Sequence, residues 1–198
     1  MANTPYPLHV YLKEQYPEVE EACAIARIMN HKVSMNGMTY PQDIVPLQVT
    51  SGVLDVFDFE WLEGNKNVMA YQGHQIAISD ELAKGLCKDG SPLGKIMENL
   101  YTKVKYEVVG VYKTRPKHSN VKFDIIMPLH KTIYSTWYTY SCHTYVLLKE
   151  KVNHTHFIQK LQKDTIRQAV AGERVFDIIT PLKVLIFELA FVLVFKCI

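Results

Sequence analysis

One segment of this chain has the residue types of a loop that cradles phosphate. Gly90–Lys95 reads GSPLGK. A phosphate loop places four residues between its glycines and a Ser or Thr after its lysine, so that backbone N–H groups and the lysine surround the phosphates. Here three residues separate the glycines, Ile96 follows Lys95, and Pro92 removes one backbone donor. The spacing favours a turn between a helix and a strand, and it predicts that this chain does not hydrolyse ATP.

Histidines could hold a metal ion. His154 and His156 form an H-x-H pair that would lie on one face of a strand, and His143 could join them. Zinc and nickel sites need further ligands of suitable type and geometry. No acidic or cysteine ligand adjoins the pair, which lies in a polar turn before a predicted helix. A solvated helix cap is therefore favoured, and we expect neither metal-binding nor cofactor-binding residues.

Nucleophilic catalysis would need a nucleophile, a base and an acid that orients the base. The chain has eight histidines, and its candidate nucleophiles are Ser79, Ser119, Ser135 and Ser141. None of these serines lies in a G-x-S-x-G motif. The paired carboxylates Glu20-Glu21 and Asp80-Glu81 are adjacent in sequence, so the two members of each pair point apart. We predict no catalytic residues and a protein that is not an enzyme.

Two stretches could instead contact a partner. The loop Lys113–Asn120 is basic, and it could meet phosphate or an acidic protein; a solvated loop is favoured, because no helix terminus suited to phosphate follows it. The stretch Ile133–Tyr145 is rich in aromatic residues among Ser and Thr. Such residues bind sugars or proteins through broad amphipathic faces, although their alternation suggests that one face belongs to the core.

Composition limits the class of protein. The chain has 198 residues, of which 48% are hydrophobic and 21% charged, so it can build a globular core. Its formal net charge is only +2 and its basic residues are scattered, which argues against a nucleic-acid partner. The four cysteines form no C-x-x-C pair, and buried free thiols are favoured over disulfides. We expect one domain with two lobes.

The elements that must position these residues follow from periodicity and turn residues. We predict helices over residues 7–15, 51–57 and 79–86 and from about 154 to 171, with Ser51 and Ser79 as N-caps. The last helix is predicted from an apolar stripe of Phe157, Ile158, Leu161, Thr165 and Ala169. Strands are predicted over 19–29, 43–50, 75–78, 103–112, 121–127, 138–149 and 175–180. This alternation indicates an α+β fold with split βαβ units and mixed sheets.

The two ends of the sequence raise a question about the membrane. The first residues are polar and contain no signal peptide. The segment Val184–Phe195 is almost purely apolar, but it is shorter than the about 20 residues that span a bilayer. It could be a final pair of core strands, the stump of a linker to a membrane helix, or a non-native tail. We favour the last two and place the domain at residues 1–183 and the tail at 184–198.

Three blocks of sequence carry a resemblance to a known family. They are Gln48–Gly64 (QVTSGVLDVFDFEWLEG), Ile78–Lys95 (ISDELAKGLCKDGSPLGK) and Tyr106–Asp124 (YEVVGVYKTRPKHSNVKFD). In this order they resemble the MacB-like periplasmic core domain of FtsX-type ABC transporter permeases, over about Pro5–Pro181. Cys87 departs from the aromatic residue usual in the family, and Leu93 replaces a more common isoleucine. Ser119 precedes Asn120, so the third block matches loosely.

The resemblance implies a two-lobed domain on the periplasmic side of the bacterial inner membrane, between membrane helices that lie outside this sequence. The resemblance also implies that the domain has no catalytic activity of its own. The domain would transmit motion driven by a separate ATP-binding subunit or domain to a periplasmic adaptor, a lipoprotein carrier or a cell-wall hydrolase, within a dimeric transporter. The alternative is a stand-alone periplasmic module that binds peptide, lipid or glycan.

Overall fold

The computed structural model describes residues 3–29, 31–71, 73–87, 90–114, 122–129, 137, 140–163, 165–166 and 180–181. Short helices separate groups of strands along the chain. The strands are β1 (Thr4–Pro5), β2 (Val19–Arg27), β3 (Val33–Met35), β4 (Met38–Thr39), β5 (Leu47–Val49), β6 (Trp61–Gly64), β7 (Gln75–Ser79), β8 (Ile96–Asn99), β9 (Lys105–Tyr112), β10 (Ile125–Pro128), β11 (Tyr140–Leu148), β12 (Thr165–Ile166) and β13 (Thr180–Pro181). The helices are α1 (Leu8–Gln15), α2 (Val53–Val56), α3 (Asp80–Leu86) and α4 (His154–Lys163), with a 3-10 turn at Val68–Ala70.

Eleven of these strands form one mixed sheet. Its order is β1-β11-β2-β5-β10-β7-β9-β8-β3-β4, and β6 pairs with β9 beside β8. The pairs β5–β10 and β7–β9 are parallel and the others are antiparallel. The strands β12 and β13 form a separate pair. The predicted α+β class with mixed sheets is confirmed, whereas the division into two lobes stays a prediction.

The sheet is strongly curved, so that strands far apart in its order contact the same connector between β2 and β3. Six strand spacings separate β2 from β3 in the order, which is about 29 Å in a flat sheet. The chain from Arg27 to Val33 reaches at most about 22 Å. The sheet must therefore bend, and His31 and Lys32 lie between its two sides: His31 bridges to Ile44, while the N–H of Leu100 donates to the carbonyl oxygen of Lys32 over 2.6 Å.

Strand β2 is buried on both faces. Cys23 and Ile25 belong to a cluster beneath α2, whereas Ala22 packs with Leu8 and Leu12 of α1. Successive side chains of a strand point to opposite faces, so the continuous burial of residues 22–26 places packed elements on both sides. A third cluster lies beneath α3 and contains Ile76, Ile78, Leu82, Leu86, Met97 and Val108.

Two of the predicted helices are confirmed in position. The first runs over Leu8–Gln15, as the spacing of Leu8 and Leu12 indicates. The second, α3, begins after Ser79, whose Oγ accepts a hydrogen bond from the N–H of Leu82 over 3.2 Å. Asp80 and Glu81 lie in its first turn, where acidic side chains favour the helix dipole.

Two helix predictions are wrong in detail. Helix α2 begins after Gly52, so that Gly52 and not Ser51 occupies the N-cap position, and no side chain of the described residues caps the helix. A Cβ at Gly52 would meet the carbonyl oxygen of Ala22 at 2.6 Å, so the close contact with β2 requires glycine at this position. Helix α4 ends at Lys163, and Thr165 lies in β12 opposite Pro181. Ala169 lies outside the described residues.

The strands at 19–29, 43–50, 75–78, 103–112, 121–127 and 138–149 are confirmed as β2, β5, β7, β9, β10 and β11. Strands β7 and β10 each end one residue later than predicted, and the other four are shorter than predicted. The predicted strand at 175–180 is described only at Thr180, which lies in β13. Sequence reasoning missed β1, β3, β4, β6, β8 and β12. An Asn36-Gly37 turn joins β3 to β4, with φ of 50° and 78°, so the Asn-Gly pair was a usable hairpin signal.

Candidate functional site

The GSPLGK segment forms the turn between α3 and β8, as its spacing predicts. The Oγ of Ser91 donates to Oε2 of Glu63 over 2.6 Å, and the Nζ of Lys95 lies 2.6 Å from the Sγ of Cys87. The N–H of Gly94 donates to the carbonyl oxygen of Val108 over 2.8 Å. These donors, which would surround a phosphate in a phosphate loop, therefore already have partners within the protein.

The candidate metal ligands do not come together. His154 and His156 lie exposed in the first turn of α4 and not on a strand, and Asn153 caps that helix by accepting the N–H of His156 over 3.1 Å. His143 lies in β11 opposite Ile25. Within the described ranges, no group of three or more His, Cys, Asp or Glu side chains is placed to hold a metal ion.

The candidate nucleophiles and carboxylates have structural contacts. Ser79 is buried as the cap of α3, and Ser141 lies 3.7 Å from the Sγ of Cys142; Ser119 and Ser135 lie outside the described residues. Glu20 is exposed, while Glu21 pairs with Lys13 over 2.7 Å. Cys23 and Cys142 are buried free thiols whose pKa values burial raises.

The two predicted partner stretches are described only in part. Lys113 pairs with Glu60 over 2.6 Å, and residues 115–120 of the basic loop lie outside the described part of the chain. In the aromatic stretch, Tyr145 packs against Phe57 in the core. Trp137 meets Tyr11 edge-on at 5.9 Å. Tyr134 and Tyr138 lie outside the described residues, so partner contact by this stretch stays a prediction.

The structure brings together two segments that are far apart in sequence. We call this contact the α1–α4 junction, formed by residues 4–19 and by α4. The rings of Tyr16 and Phe157 meet edge-on at 5.7 Å, and the Nζ of Lys160 lies 2.7 Å from Oε1 of Glu18. Lys160 also lies over the Tyr16 ring, 5.3 Å from its centroid. The junction rests on β2 and β11 through Ala22 and Val146.

Apolar burial holds the α1–α4 junction more firmly than its charges do. Phe157 and Leu161 are 2% and 0% exposed. The hydrogen bond from Lys160 lowers the pKa of Glu18, but both side chains are partly exposed, and such ion pairs contribute at most about 1 kcal/mol. Strand β1 extends the sheet beside β11, where Oγ1 of Thr4 donates to the carbonyl oxygen of Cys142 over 3.0 Å.

A second polar cluster ties α3 to the end of β9. Oδ1 of Asp80 accepts hydrogen bonds from the N–H of Thr114 over 2.8 Å and from its Oγ1 over 2.6 Å. Oδ2 accepts one from the Nζ of Lys84 over 2.6 Å. Burial raises the pKa of the Asp80 carboxyl, but the hydrogen bonds from Lys84 and Thr114 outweigh it and hold the pKa well below its usual range.

Comparison with models of known families identifies the family of this chain. The family model of the MacB-like periplasmic core domain matches residues 2–164. The chain belongs to this family. Members are extracytoplasmic domains of ABC transporter permeases, which work with ATPase subunits. No helix among the described residues is both long and apolar enough to cross a bilayer.

Solved structures share the fold of this MacB-like domain. A domain of a protein described as a permease from Porphyromonas gingivalis has a TM-score of 0.68 at 21% identity, covering 81% of this chain and 69% of its own. The periplasmic region of MacB from Actinobacillus actinomycetemcomitans gives 0.61 at 14% identity, covering 82% and 72%. The extracellular domain of the noncanonic ABC-type transporter YknZ from Gram-positive bacteria gives 0.54 at 22% identity, covering 75% of each chain. Among curated proteins, none matches the chain.

Sequence reasoning did not predict the α1–α4 junction of this MacB-like domain. It found the apolar stripe of each helix separately, at Leu8 and Leu12 and at Phe157 and Leu161. A stripe shows that a helix is buried on one side, but it does not show which element buries it.

Proposed function

We propose that this chain transmits ATP-driven motion of the permease's membrane helices to a periplasmic partner or cargo, and that it does so without catalysis. A periplasmic adaptor, a lipoprotein carrier and a cell-wall hydrolase are the partner classes that we expect, and the transporter would be dimeric. The domain would comprise residues 1–183 in two lobes, with 184–198 as a separate tail.

The α1–α4 junction carries this proposal. In a permease, the segments before and after such a domain lead to neighbouring membrane helices. Here the early segment 4–19 and the late helix α4 pack on each other and on the same two strands, β2 and β11. Displacement of the flanking helices would therefore act on one packed unit, and strands β2 and β11 belong to the sheet that continues to β4.

Transmission needs packed elements that move as units, because a soft contact absorbs displacement. Strands β2 and β11 share six paired positions, from His143 opposite Ile25 to Leu148 opposite Val19. The cluster of Phe157, Leu161, Leu8 and Leu12 covers one face of that ladder. These features favour a mechanical role over a reactive centre.

The test uses the full-length permease with its ATPase, reconstituted in lipid nanodiscs. A spin label on the exposed position Lys105→Cys, in β9, reports the distance between the two copies of the domain in the dimeric transporter, and therefore the motion that reaches β9 from the α1–α4 junction. Cys87→Ser and Cys197→Ser remove competing thiols. We expect the distance distribution to differ between the ATP-bound and nucleotide-free states.

Phe157→Ala should abolish that difference while ATP hydrolysis continues, because it removes the main apolar contact of α4. Thr155→Ala, on the exposed side of the same helix, is the matched control and should keep the difference. Identical distributions in both nucleotide states of the unmodified domain would refute transmission. Coding DNA that encodes neither flanking membrane helices nor an ATPase would favour the stand-alone binding module.

A further inference from the structure

The connector between β2 and β3 closes the curled sheet, and we call its contacts the seam. The N–H of His31 donates to the carbonyl oxygen of Ile44 over 2.7 Å, and the N–H of Ile44 donates back over 2.9 Å. On the other side, the carbonyl oxygen of Lys32 accepts a hydrogen bond from the N–H of Leu100. The Tyr101 hydroxyl lies 3.0 Å from Oδ2 of Asp43, which adds a side-chain contact between the β8–β9 turn and the segment before β5.

His31 places an imidazole inside this seam. Its side chain is 5% exposed, and its ring meets Tyr106 of β9 edge-on at 5.8 Å. The Nδ1 atom is buried and has no hydrogen-bond partner among the described residues. A protonated ring would therefore hold an N–H group and a positive charge at a buried position where the described residues supply no acceptor for Nδ1.

We propose that His31 is an acid-sensitive lock of the seam, closed while its imidazole is neutral and released when Nδ1 takes up a proton. The physical basis is the buried Nδ1, which has no partner among the described residues, at the point where the two sides of the sheet join. The proposal does not depend on the transmission function.

The groups around the ring do not compensate an added charge. Titratable and charged side chains of the neighbouring elements are Tyr106 and Lys105 of β9, Glu98 of β8, His74 before β7, Tyr40 after β4, and Lys32 and Asp43 of the seam. Lys105 and Glu98 lie on the face opposite to Tyr106. The Asp43 carboxylate accepts from Tyr101 and lies 3.9 Å from Lys32.

The direction of the pH effect follows from proton linkage. Burial lowers the pKa of His31, so the closed seam binds fewer protons than the open one. Closure is complete above about pH 6.5, the ordinary histidine value, and weakens as the pH falls below it toward the lowered pKa. At pH 5.0 the opening constant should rise by up to about thirtyfold.

Amide hydrogen exchange between pH 7.5 and 5.0, corrected for the intrinsic pH dependence of exchange, measures this opening. We expect the amides of Met35 and Met97, in the strands next to the seam, to lose protection at pH 5.0. His31→Phe keeps an aromatic ring and removes the proton site, so it should abolish the loss. His74→Gln changes an exposed histidine and His9→Gln a buried one outside the seam; both should retain it.

Equal loss of protection in the unmodified chain and in His31→Phe would overturn the proposal, as would no loss in either. If His31→Phe fails to fold, an NMR titration of the His31 ring in the unmodified chain decides the matter. A ring pKa clearly below 6.5, with seam amides that lose protection as the pH falls toward it, supports the lock. A ring pKa at or above 6.5 contradicts it.

Discussion

Asp80 links two elements through one carboxylate. Its two oxygens accept hydrogen bonds from Lys84, one turn along α3, and from Thr114, just beyond β9. The side chain is 21% exposed, so these bonds are only partly screened by water. Hydrogen bonds to a charged acceptor contribute more than neutral ones, which makes this residue the polar anchor of α3.

Asp80→Asn should lower the free energy of unfolding by about 1–2 kcal/mol at pH 7, because the amide keeps one acceptor oxygen for Thr114 but presents an NH₂ group that cannot accept from Lys84, and because the negative charge is lost. Since the folded pKa of Asp80 is lowered, its contribution is present above the ordinary value of about 3.9 and is lost as the pH falls through the folded pKa. Urea unfolding at several pH values should therefore show a constant difference from pH 7 to 5 that shrinks below about pH 4.

The control for this prediction is Asp58→Asn. Asp58 is exposed and has a φ of 48°, a backbone conformation that Asn also adopts readily. Asp58→Asn should therefore change the free energy of unfolding little at any of these pH values. A difference for Asp80→Asn that persists unchanged at pH 3 would show that the carboxylate charge is not what holds α3.

Close packing at glycine positions holds strand β6 against β9. Gly64 lies opposite Gly110, and Trp61 lies opposite Tyr112. A Cβ atom at Gly110 would lie 2.5 Å from Cζ2 of Trp61 and 2.7 Å from the Tyr71 hydroxyl. The glycine in the middle of this strand therefore makes room for aromatic side chains rather than serving a turn.

Gly110→Ala should destabilise the protein by about 2–3 kcal/mol, because the added methyl group forces Trp61 and Tyr71 to move within packed surroundings. The indole resonance of Trp61 should shift in an NMR spectrum. Gly37→Ala is the contrast: nothing lies within 4 Å of its added Cβ, but its φ of 78° is strained for alanine. It should cost about 1 kcal/mol and leave the Trp61 resonance in place. Equal losses in the free energy of unfolding for the two variants, with an unshifted Trp61 resonance in both, would contradict the packing explanation.

Helix α4 packs on the rest of the domain through one apolar face. Phe157 and Leu161 enter the cluster that also contains Leu8, Leu12 and Tyr16. The exposed residues of α4 include His154 and Gln159. The helix is thus held by packing with α1, β2 and β11, and it needs that packing because an isolated ten-residue helix is marginal in water.

Phe157→Ala should reduce the free energy of unfolding by about 3 kcal/mol and increase hydrogen exchange throughout α4. Lys160→Met removes the ion pair with Glu18 but keeps much of the side-chain volume, and it should cost less than about 1 kcal/mol. Denaturant unfolding with exchange measurements on both variants tests this order. A larger loss for Lys160→Met than for Phe157→Ala would mean that charge, and not apolar burial, fixes the junction.

Features that depend on neighbouring residues were readable from the sequence. The cap at Ser79, the helix at Leu8–Gln15 and the turn at Gly90–Lys95 each follow from a few adjacent side chains and their backbone preferences. The family membership was readable in the same way, because its three blocks consist of such local features. The Asn36-Gly37 hairpin carried an equally local signal that was overlooked.

Only the tertiary structure decided which elements meet. The need for glycine at position 52 comes from the backbone of β2, which leaves no room for a side chain. The end of α4 at Lys163 precedes a strand that pairs with residues near 180, and the burial of His31 depends on closure of the sheet. The same holds for the α1–α4 junction, whose two sides lie about 140 residues apart in the ion pair of Glu18 and Lys160. Local preference is weak, of the order of 1 kcal/mol per residue, so contacts made across the fold override it wherever the two disagree.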